Sequence, residues 1–70
     1  MSELQQIELF RDELEALRLC DCDGLTQEEA GQKMGVSRGT IQRIITRARQ
    51  KTAHSLSEGH ALIFVSGKDE

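Results

Sequence analysis

Proline and tryptophan are absent from this 70-residue sequence, and its aromatic residues are two phenylalanines, Phe10 and Phe64. With so few rings to stack on unpaired bases, the chain is a poor candidate for single-stranded RNA recognition. Its longest apolar run is the five-residue ALIFV, whereas a membrane-spanning helix needs about 20 residues. The N-terminus has no basic region followed by an apolar run, so we expect a cytoplasmic protein rather than a secreted one.

Cysteine is scarce as well, and its placement argues against a disulfide or a metal centre. Cys20 and Cys22 are separated by one residue, so a bridge between them would close a small, strained ring. The paired cysteines of common zinc sites stand about two to four residues apart, and His54 and His60 do not complete such a pattern. We predict no metal and no cofactor. The sequence also has no supported nucleophile–base pair and no phosphate loop, so we do not expect an enzyme.

Charge is distributed unevenly along the chain. The sequence carries 12 acidic and nine basic residues, for a net charge of −3. Residues 1–29 hold nine acids and two bases, and residues 58–70 hold three acids and one base. Residues 30–57 hold six bases and no acid. This polarity indicates a polyanionic partner for the middle segment. The alternative is a solvated helical face without a partner.

Capping chemistry predicts three helices, near residues 13–22, 27–34 and 38–57. Asp12 with Glu15, and Thr26 with Glu29, have the spacing of a capping box. Ser37 is a favoured N-cap for the third helix, because its hydroxyl can accept a hydrogen bond from a free backbone N–H. Each helix is followed by a glycine that can end it, namely Gly24, Gly35 and Gly59.

The third predicted helix has two distinct faces at about 100° per residue. One face carries Ile41, Ile44, Ile45, Ala48, Thr52 and Ser55. The opposite, polar and cationic face carries Gly39, Gln42, Arg43, Thr46, Arg47 and Gln50, with Arg38, Arg49 and Lys51 at its flanks. We expect the apolar face to pack against Leu14, Leu17, Leu25, Ala30, Met34 and Val36.

The two ends of the chain are predicted less uniquely. Residues 1–11 read either as a strand, with Ile7 and Leu9 on one face, or as a helical extension with apolar residues from Leu4 at helical spacing. HALIFV, within residues 60–66, favours a strand. Because an isolated two-stranded ribbon is marginal in water, we expect the two segments to pair in a small antiparallel sheet that lies across a dimer contact.

Between the second and third helices the sequence has the layout of a helix-turn-helix. Gly31 lies where the two helices would approach closely, and Gly35 allows a left-handed turn. The inward positions that would fix the helices are Ala30, Met34, Val36, Ile41 and Ile44. The predicted fold is therefore mostly α, a single domain with a tri-helical core over residues 12–57. A helical hairpin without a special function would have the same apolar pattern, but it would be less likely to combine it with Gly31, Gly35 and a cationic helix free of acids.

The stretch DELEALRLCDCDGLTQEEAGQKMGVSRGTIQRIITRARQK resembles region four of bacterial RNA polymerase sigma factors and the related response-regulator domains. It is closer still to a family of short prokaryotic proteins for which DNA binding is suggested, through DELEALRL, GLTQEEA, MGVSR and a segment similar to GHALIF. The resemblance covers residues 8–67 and implies a helix-turn-helix regulator of transcription. Members of that family usually begin with a basic, cysteine-containing segment not seen here, and they tend to lack CDC.

A recognition helix enters the major groove with its N-terminus first, which selects the candidate contacts. Arginine suits guanine and glutamine suits adenine, so the predicted base contacts are Arg38, Gln42, Arg43 and Thr46. The predicted phosphate contacts are cations, or polar groups near helix N-termini: Thr26, Gln27, Lys33, Ser37, Thr40, Arg47, Arg49 and Lys51. The acidic residues of the first helix should face away from the duplex, namely Glu13, Glu15, Asp21 and Asp23.

The predicted partner is double-stranded DNA, bound by a homodimer. Two recognition helices would then meet major grooves about 34 Å apart, on a near-palindromic site. A rival reading is a protein-interaction module that binds RNA polymerase or another transcription protein, because net acidity is unusual for a DNA-binding protein.

Overall fold

A computed structural model describes residues 5–65 of the chain, and these are mostly helical. In chain order the elements are β1 (Gln6–Phe10), α1 (Arg11–Leu17), a π-helical segment (Arg18–Cys22), α2 (Gln27–Met34), α3 (Arg38–Glu58) and β2 (Ala61–Val65). The predicted helical fold class and three helical segments are confirmed. Leu4 and Ser66, which the predictions for the two ends included, lie outside the described residues. Within residues 5–65, no helix is both long and apolar enough to cross a membrane.

Of the two alternatives for the N-terminal segment, the strand is the one observed over Gln6–Phe10, and it leads directly into α1. The predicted Asp12–Glu15 capping box is wrong, because α1 begins at Arg11 and its N-cap is Phe10. The backbone N–H of Phe10 donates to Oε1 of Glu13 at 2.9 Å. Because β1 ends where the helix starts, the first free amide is that of Phe10, and the carboxylate three residues later is the one within reach.

The inward face of α1 also differs from the prediction. Ala16 and Leu19 are buried, whereas Leu14, predicted to lie in the core, is 40% exposed. Glu13 occupies the inward position of the first helical turn and has no exposed surface, which leaves Leu14 at the margin of the core. The π-helical segment follows, with the Asp23 N–H donating to the Arg18 carbonyl at 2.8 Å; sequence periodicity gave no sign of it.

The apolar face of α3 forms the centre of the core, as predicted. Ile41, Ile45 and Ala48 have no exposed surface, and Ile44 and Ser55 are also buried. Their neighbours in the core include Ala16, Leu19 and Ala30, with partly buried side chains packed around them: Leu17, Cys20, Leu25, Met34 and Val36. Burial of this face fixes which side of α3 is turned toward solvent.

The turn between α2 and α3 depends on two glycines. Gly35 ends α2 with φ 72°, in the left-handed region that a side chain disfavours. At Gly31, a Cβ atom would lie 3.2 Å from the backbone oxygen of Val36 and 3.3 Å from Cγ2 of Ile41. A backbone oxygen cannot move aside as a flexible side chain can, so the absence of a side chain lets α2 approach the turn and α3 closely.

The two strands pair, but they run parallel rather than antiparallel as predicted. Their register matches Gln6 with Ala61 and Phe10 with Val65. Parallel strands need a long crossover connection, usually helical, and the three helices between β1 and β2 provide it. The two strand sequences by themselves do not fix their relative direction, which is set by the path of the helices between them.

Candidate nucleic-acid interface

The outward face of α3 is an exposed polar surface. Its polar residues are all exposed and line a shallow, open groove along the helix: Gln42, Arg43, Thr46, Arg47 and Gln50. Arg38, at the start of α3, is exposed as well. The four predicted base-contact residues therefore lie on the solvent side of the N-terminal part of α3, opposite the buried isoleucines.

Side-chain hydrogen bonds organise the first turn of α3. The Ser37 hydroxyl accepts from the Thr40 backbone N–H at 3.2 Å and donates to the Thr40 hydroxyl at 2.9 Å. Arg43 Nη2 also donates to the Thr40 hydroxyl, at 3.4 Å. The turn holds no acidic residue, so the partial positive charge of the helix N-terminus is not offset by a carboxylate there. This end of α3 is suited to an anion.

The N-terminus of α2 differs, because it already holds carboxylates. The Thr26 hydroxyl accepts from the Glu29 N–H at 3.1 Å, and the Thr26 N–H donates to Glu29 Oε1 at 2.9 Å. The predicted capping box is confirmed. Glu28 and Glu29 both stand in the first turn, so a phosphate that approached Thr26 or Gln27 would meet negative charge. Among the predicted phosphate contacts these two residues are the least favourably placed.

Arg49, another predicted phosphate contact, is held by Asp21. Its Nε and Nη2 donate to the two carboxylate oxygens of Asp21 at 3.2 and 2.8 Å. The hydrogen bond from Arg49 lowers the pKa of Asp21 below its usual value, and the same bond raises the pKa of Arg49. Both side chains remain about half exposed, so the pair lies at the surface. Asp21 faces a cation of α3 rather than pointing away from this helix.

Lys51 is bound more tightly than Arg49. Its Nζ donates to Glu13 Oε1 at 2.7 Å and to the Glu8 carbonyl at 2.7 Å, and it lies 4.1 Å from the centre of the Phe10 ring. Glu13 was predicted to face away from α3 but is fully buried beside it. We name these four residues the lysine clamp, since they join β1 and α1 to α3.

Sequence reasoning missed the lysine clamp. Glu13 and Lys51 are 38 residues apart, and no local spacing links them. The lysine clamp also touches the candidate interface, because Nη1 of Arg47 lies 3.8 Å from Oε2 of Glu13. That contact is long, and the Arg47 side chain is 54% exposed. Arg47 therefore stays available to a ligand while Lys51 does not.

The other basic residues differ in whether a carboxylate pairs with them. Arg18, in the acidic part of the chain, pairs with Glu15 at 3.0 Å and with Asp23 at 3.1 Å. Within the described residues, no carboxylate pairs with Arg38, Arg43 or Lys33. The unpaired positive charge of α3 is thus concentrated toward its N-terminal part, beside the uncharged Gln42 and Thr46.

The thiols and imidazoles do not assemble into a metal site among residues 5–65. Cys20 is half-buried and Cys22 is exposed, and both thiols are free. Burial raises the pKa of the Cys20 thiol, and the nearby charge of Arg49 opposes that rise. The rings of His54 and His60 lie 5.4 Å apart, tilted by 45°.

The whole chain, residues 1–70, matches a family model described as "Protein of unknown function DUF134". The chain belongs to the DUF134 family. It is 61% identical over 59 residues to the UPF0251 protein TK0562 of Thermococcus kodakarensis, a match that covers 84% of this chain and 52% of that protein. It is 50% identical over 62 residues to the UPF0251 protein VPA0321 of Vibrio parahaemolyticus, which covers 89% of this chain and 65% of that protein.

This DUF134 chain spans about half the length of several of its curated relatives, 52% and 55% in two of them. The matches bear out the resemblance to a family of short prokaryotic proteins. No solved structure matches the chain.

Proposed function

We propose that this DUF134 protein binds double-stranded DNA in a sequence-specific manner and regulates transcription. In this proposal α2 and α3 form a helix-turn-helix, and α3 is the recognition helix. The observation that carries the proposal is the outward surface of residues 38–47. It is exposed, free of acidic residues and rich in arginine, and it lies on a helix whose other face is locked into the core.

The side chains on this surface suit the major groove. Arginine can bond in bidentate fashion to guanine O6 and N7, and glutamine to adenine N6 and N7. Arg43 and Gln42 are adjacent on the exposed face, and Arg38 lies at the helix end that enters the groove first. Thr46, one turn further on, has a short side chain that allows close approach to the groove. These four residues are the proposed base contacts.

Phosphate contacts are assigned to groups that surround this surface and carry no strong internal partner. Arg47 and Lys33 provide positive charge, and the N-terminus of α3, around Ser37 and Thr40, provides amides and hydroxyls. Arg49 can join them only by leaving Asp21. Lys51 is too deeply engaged in the lysine clamp to contact phosphate without loss of packing.

The decisive experiment selects bound sequences from random duplex DNA at physiological salt. The proposal expects a defined motif, near-palindromic if the protein acts as a dimer, with affinity that falls steeply as salt rises. Arg43→Ala should lower affinity and relax the preference at one base pair. Arg18→Ala is the matched control, because it removes an exposed arginine from the acidic side of the molecule. An unenriched pool, or equal losses for the two variants, would refute DNA recognition by this face.

A second candidate function is a protein-interaction module of the transcription machinery, and one groove favours it. Apolar side chains line this groove together with two acids and one arginine from α1 and a threonine from α3: Arg11, Asp12, Glu15, Met34, Val36, Thr40 and Ile44. A basic, apolar segment of RNA polymerase or another transcription protein would suit such a surface. Glu15→Lys should then abolish binding to purified RNA polymerase, measured by fluorescence anisotropy, while DNA binding by the α3 surface persists.

A further inference from the structure

We propose that two copies of this chain associate through the outer edge of β2 and form a continuous four-stranded sheet in the order β1-β2-β2-β1. The inference gives a surface to the dimer expected under the proposed function, but it does not require that the protein bind DNA. It rests on a difference between the two outer edges of the sheet.

The outer edge of β1 is closed by side chains. The Ala61 N–H donates to the Gln5 carbonyl at 3.0 Å, so in the alternation of a parallel strand the backbone groups of Glu8 and Phe10 point away from β2. Each of these two residues already has one of its outward backbone groups bonded to a side chain. The Glu8 carbonyl accepts from Lys51 Nζ at 2.7 Å, and the Phe10 N–H donates to Glu13 at 2.9 Å. The lysine clamp therefore blocks this edge.

The outer edge of β2 is open. Because the Ala61 N–H points toward β1, the same alternation turns the backbone N–H and C=O groups of Leu62 and Phe64 outward. Among residues 5–65, the sheet has no strand beyond β2. The side chains of Leu62 and Phe64 are 42% and 49% exposed. An open edge that carries apolar side chains and no charge is a template for another strand.

A second copy of the same strand fits this edge because the edge is complementary to itself. If β2 pairs antiparallel with its copy about a two-fold axis at Ile63, Leu62 of each copy lies opposite Phe64 of the other. Leu62 and Phe64 then exchange both backbone hydrogen bonds in each pair. The exposed leucine and phenylalanine side chains also cover one another across the strands, which is a favourable cross-strand pair. No residue from Ala61 to Val65 carries a charge that would oppose this contact.

Sedimentation equilibrium of the purified full chain tests the proposal. The wild-type protein should be a dimer at micromolar concentration. Leu62→Lys and Phe64→Lys should each give a monomer, because a lysine on an edge strand opposes edge-to-edge pairing. Gln6→Lys is the matched control, since it places the same charge on the exposed side of β1, and it should stay dimeric. A monomeric wild type, or lysine variants that remain dimeric with native circular dichroism, would overturn the proposal.

Cysteine cross-linking provides a second test that does not depend on destabilising variants. In a background with Cys20→Ala and Cys22→Ser, an Ile63→Cys substitution should give a disulfide-linked dimer under mild oxidation. Residues paired without hydrogen bonds across antiparallel strands have Cα atoms about 4.5 Å apart, within the range a disulfide spans. Gln6→Cys should remain uncrosslinked. Equal cross-linking at both positions would refute the β2 contact. A cross-linked dimer that binds no DNA would refute only the proposed function.

Discussion

The two parts of the basic segment behave differently, although their sequences look alike. In the first part, Arg38 and Arg43 pair with no carboxylate of the described residues and point into solvent. In the second part, Arg49 is held by Asp21 and Lys51 by Glu13. The positive charge counted along the chain is therefore larger than the charge α3 can offer to a polyanion. The difference teaches that the first part keeps its charge exposed, where the proposed partner could meet it, whereas the second part joins α3 to the rest of the fold.

The largest effect should follow from breaking the lysine clamp. Lys51→Ala leaves the fully buried Glu13 carboxylate without its close partner, and removing one member of a buried ion pair costs about 3–5 kcal/mol. Urea denaturation should therefore show a markedly lower free energy of unfolding. Arg49→Ala, the control from the exposed pair, should change it by about 1 kcal/mol or less.

A double variant separates the buried charge from loss of packing. If Glu13→Leu is combined with Lys51→Met, part of the stability lost in Lys51→Ala should return, because apolar side chains of similar size can replace a buried ion pair. The Phe10 N–H and the Glu8 carbonyl still lose their bonds to these side chains, which limits the recovery. The interpretation fails if Lys51→Ala is no more destabilising than Arg49→Ala.

The next effect concerns affinity for DNA. Arg43→Ala should weaken binding to a selected site by about 1–3 kcal/mol, the value of a bidentate base contact. Arg49→Ala should weaken it much less, because Asp21 already engages that guanidinium. Fluorescence anisotropy at fixed salt measures both. Equal losses for the two variants would remove the proposed distinction between the parts of the segment.

A smaller effect in the opposite direction should follow from releasing Arg49. Asp21→Asn removes one negative charge and frees the guanidinium for a phosphate, so affinity for any DNA sequence should rise. The slope of log affinity against log salt should steepen by about one phosphate contact. Asp23→Asn is the matched control, since its partner is Arg18, away from α3. A rise of the same size in both variants would indicate only a general change of net charge.

The smallest effect is a dependence of stability on pH. Arg49 lowers the pKa of Asp21 in the folded chain, so the folded state favours the ionised carboxylate. That contribution is present above the ordinary aspartate pKa and is lost as pH falls through the lower folded value. The free energy of unfolding should be measured against pH for the wild type and for Asp21→Asn. Below about pH 4, the wild type should lose slightly more of it than the variant does. No difference between the two curves would mean that the pair has no net effect on stability.

Sequence patterns predicted most of the helical fold correctly. The cap at Ser37, the Thr26–Glu29 box and the α2 bounds are local features, because each depends on residues within one helical turn. The buried face of α3 follows from its apolar periodicity, and so does the exposure of Gln42 and Arg43. The exposure of this face was therefore predictable from the amino-acid sequence, while its recognition of a DNA sequence stays a prediction.

Apart from the π-helical segment and the first helix cap, which are local, the errors lie where distant parts of the chain meet. Glu13 looked like a surface acid because nothing in the sequence indicates that Lys51 will lie 2.7 Å from it. The same glutamate caps α1 through the Phe10 N–H and fills the inward position beside Leu14. Lys51 also bonds to the Glu8 carbonyl on the outer edge of β1. The parallel orientation of the strands likewise depends on the path of the helices between them.

The sequence by itself determined where the helices of this protein begin and end, apart from the first, and which side of α3 is buried, because caps, glycines and periodicity act over a few residues. Within residues 5–65, tertiary structure alone decided which cations stay unpaired and which sheet edge stays open. Ion pairs and strand edges depend on groups far apart in the chain, and only folding brings those groups within the few ångströms over which they interact.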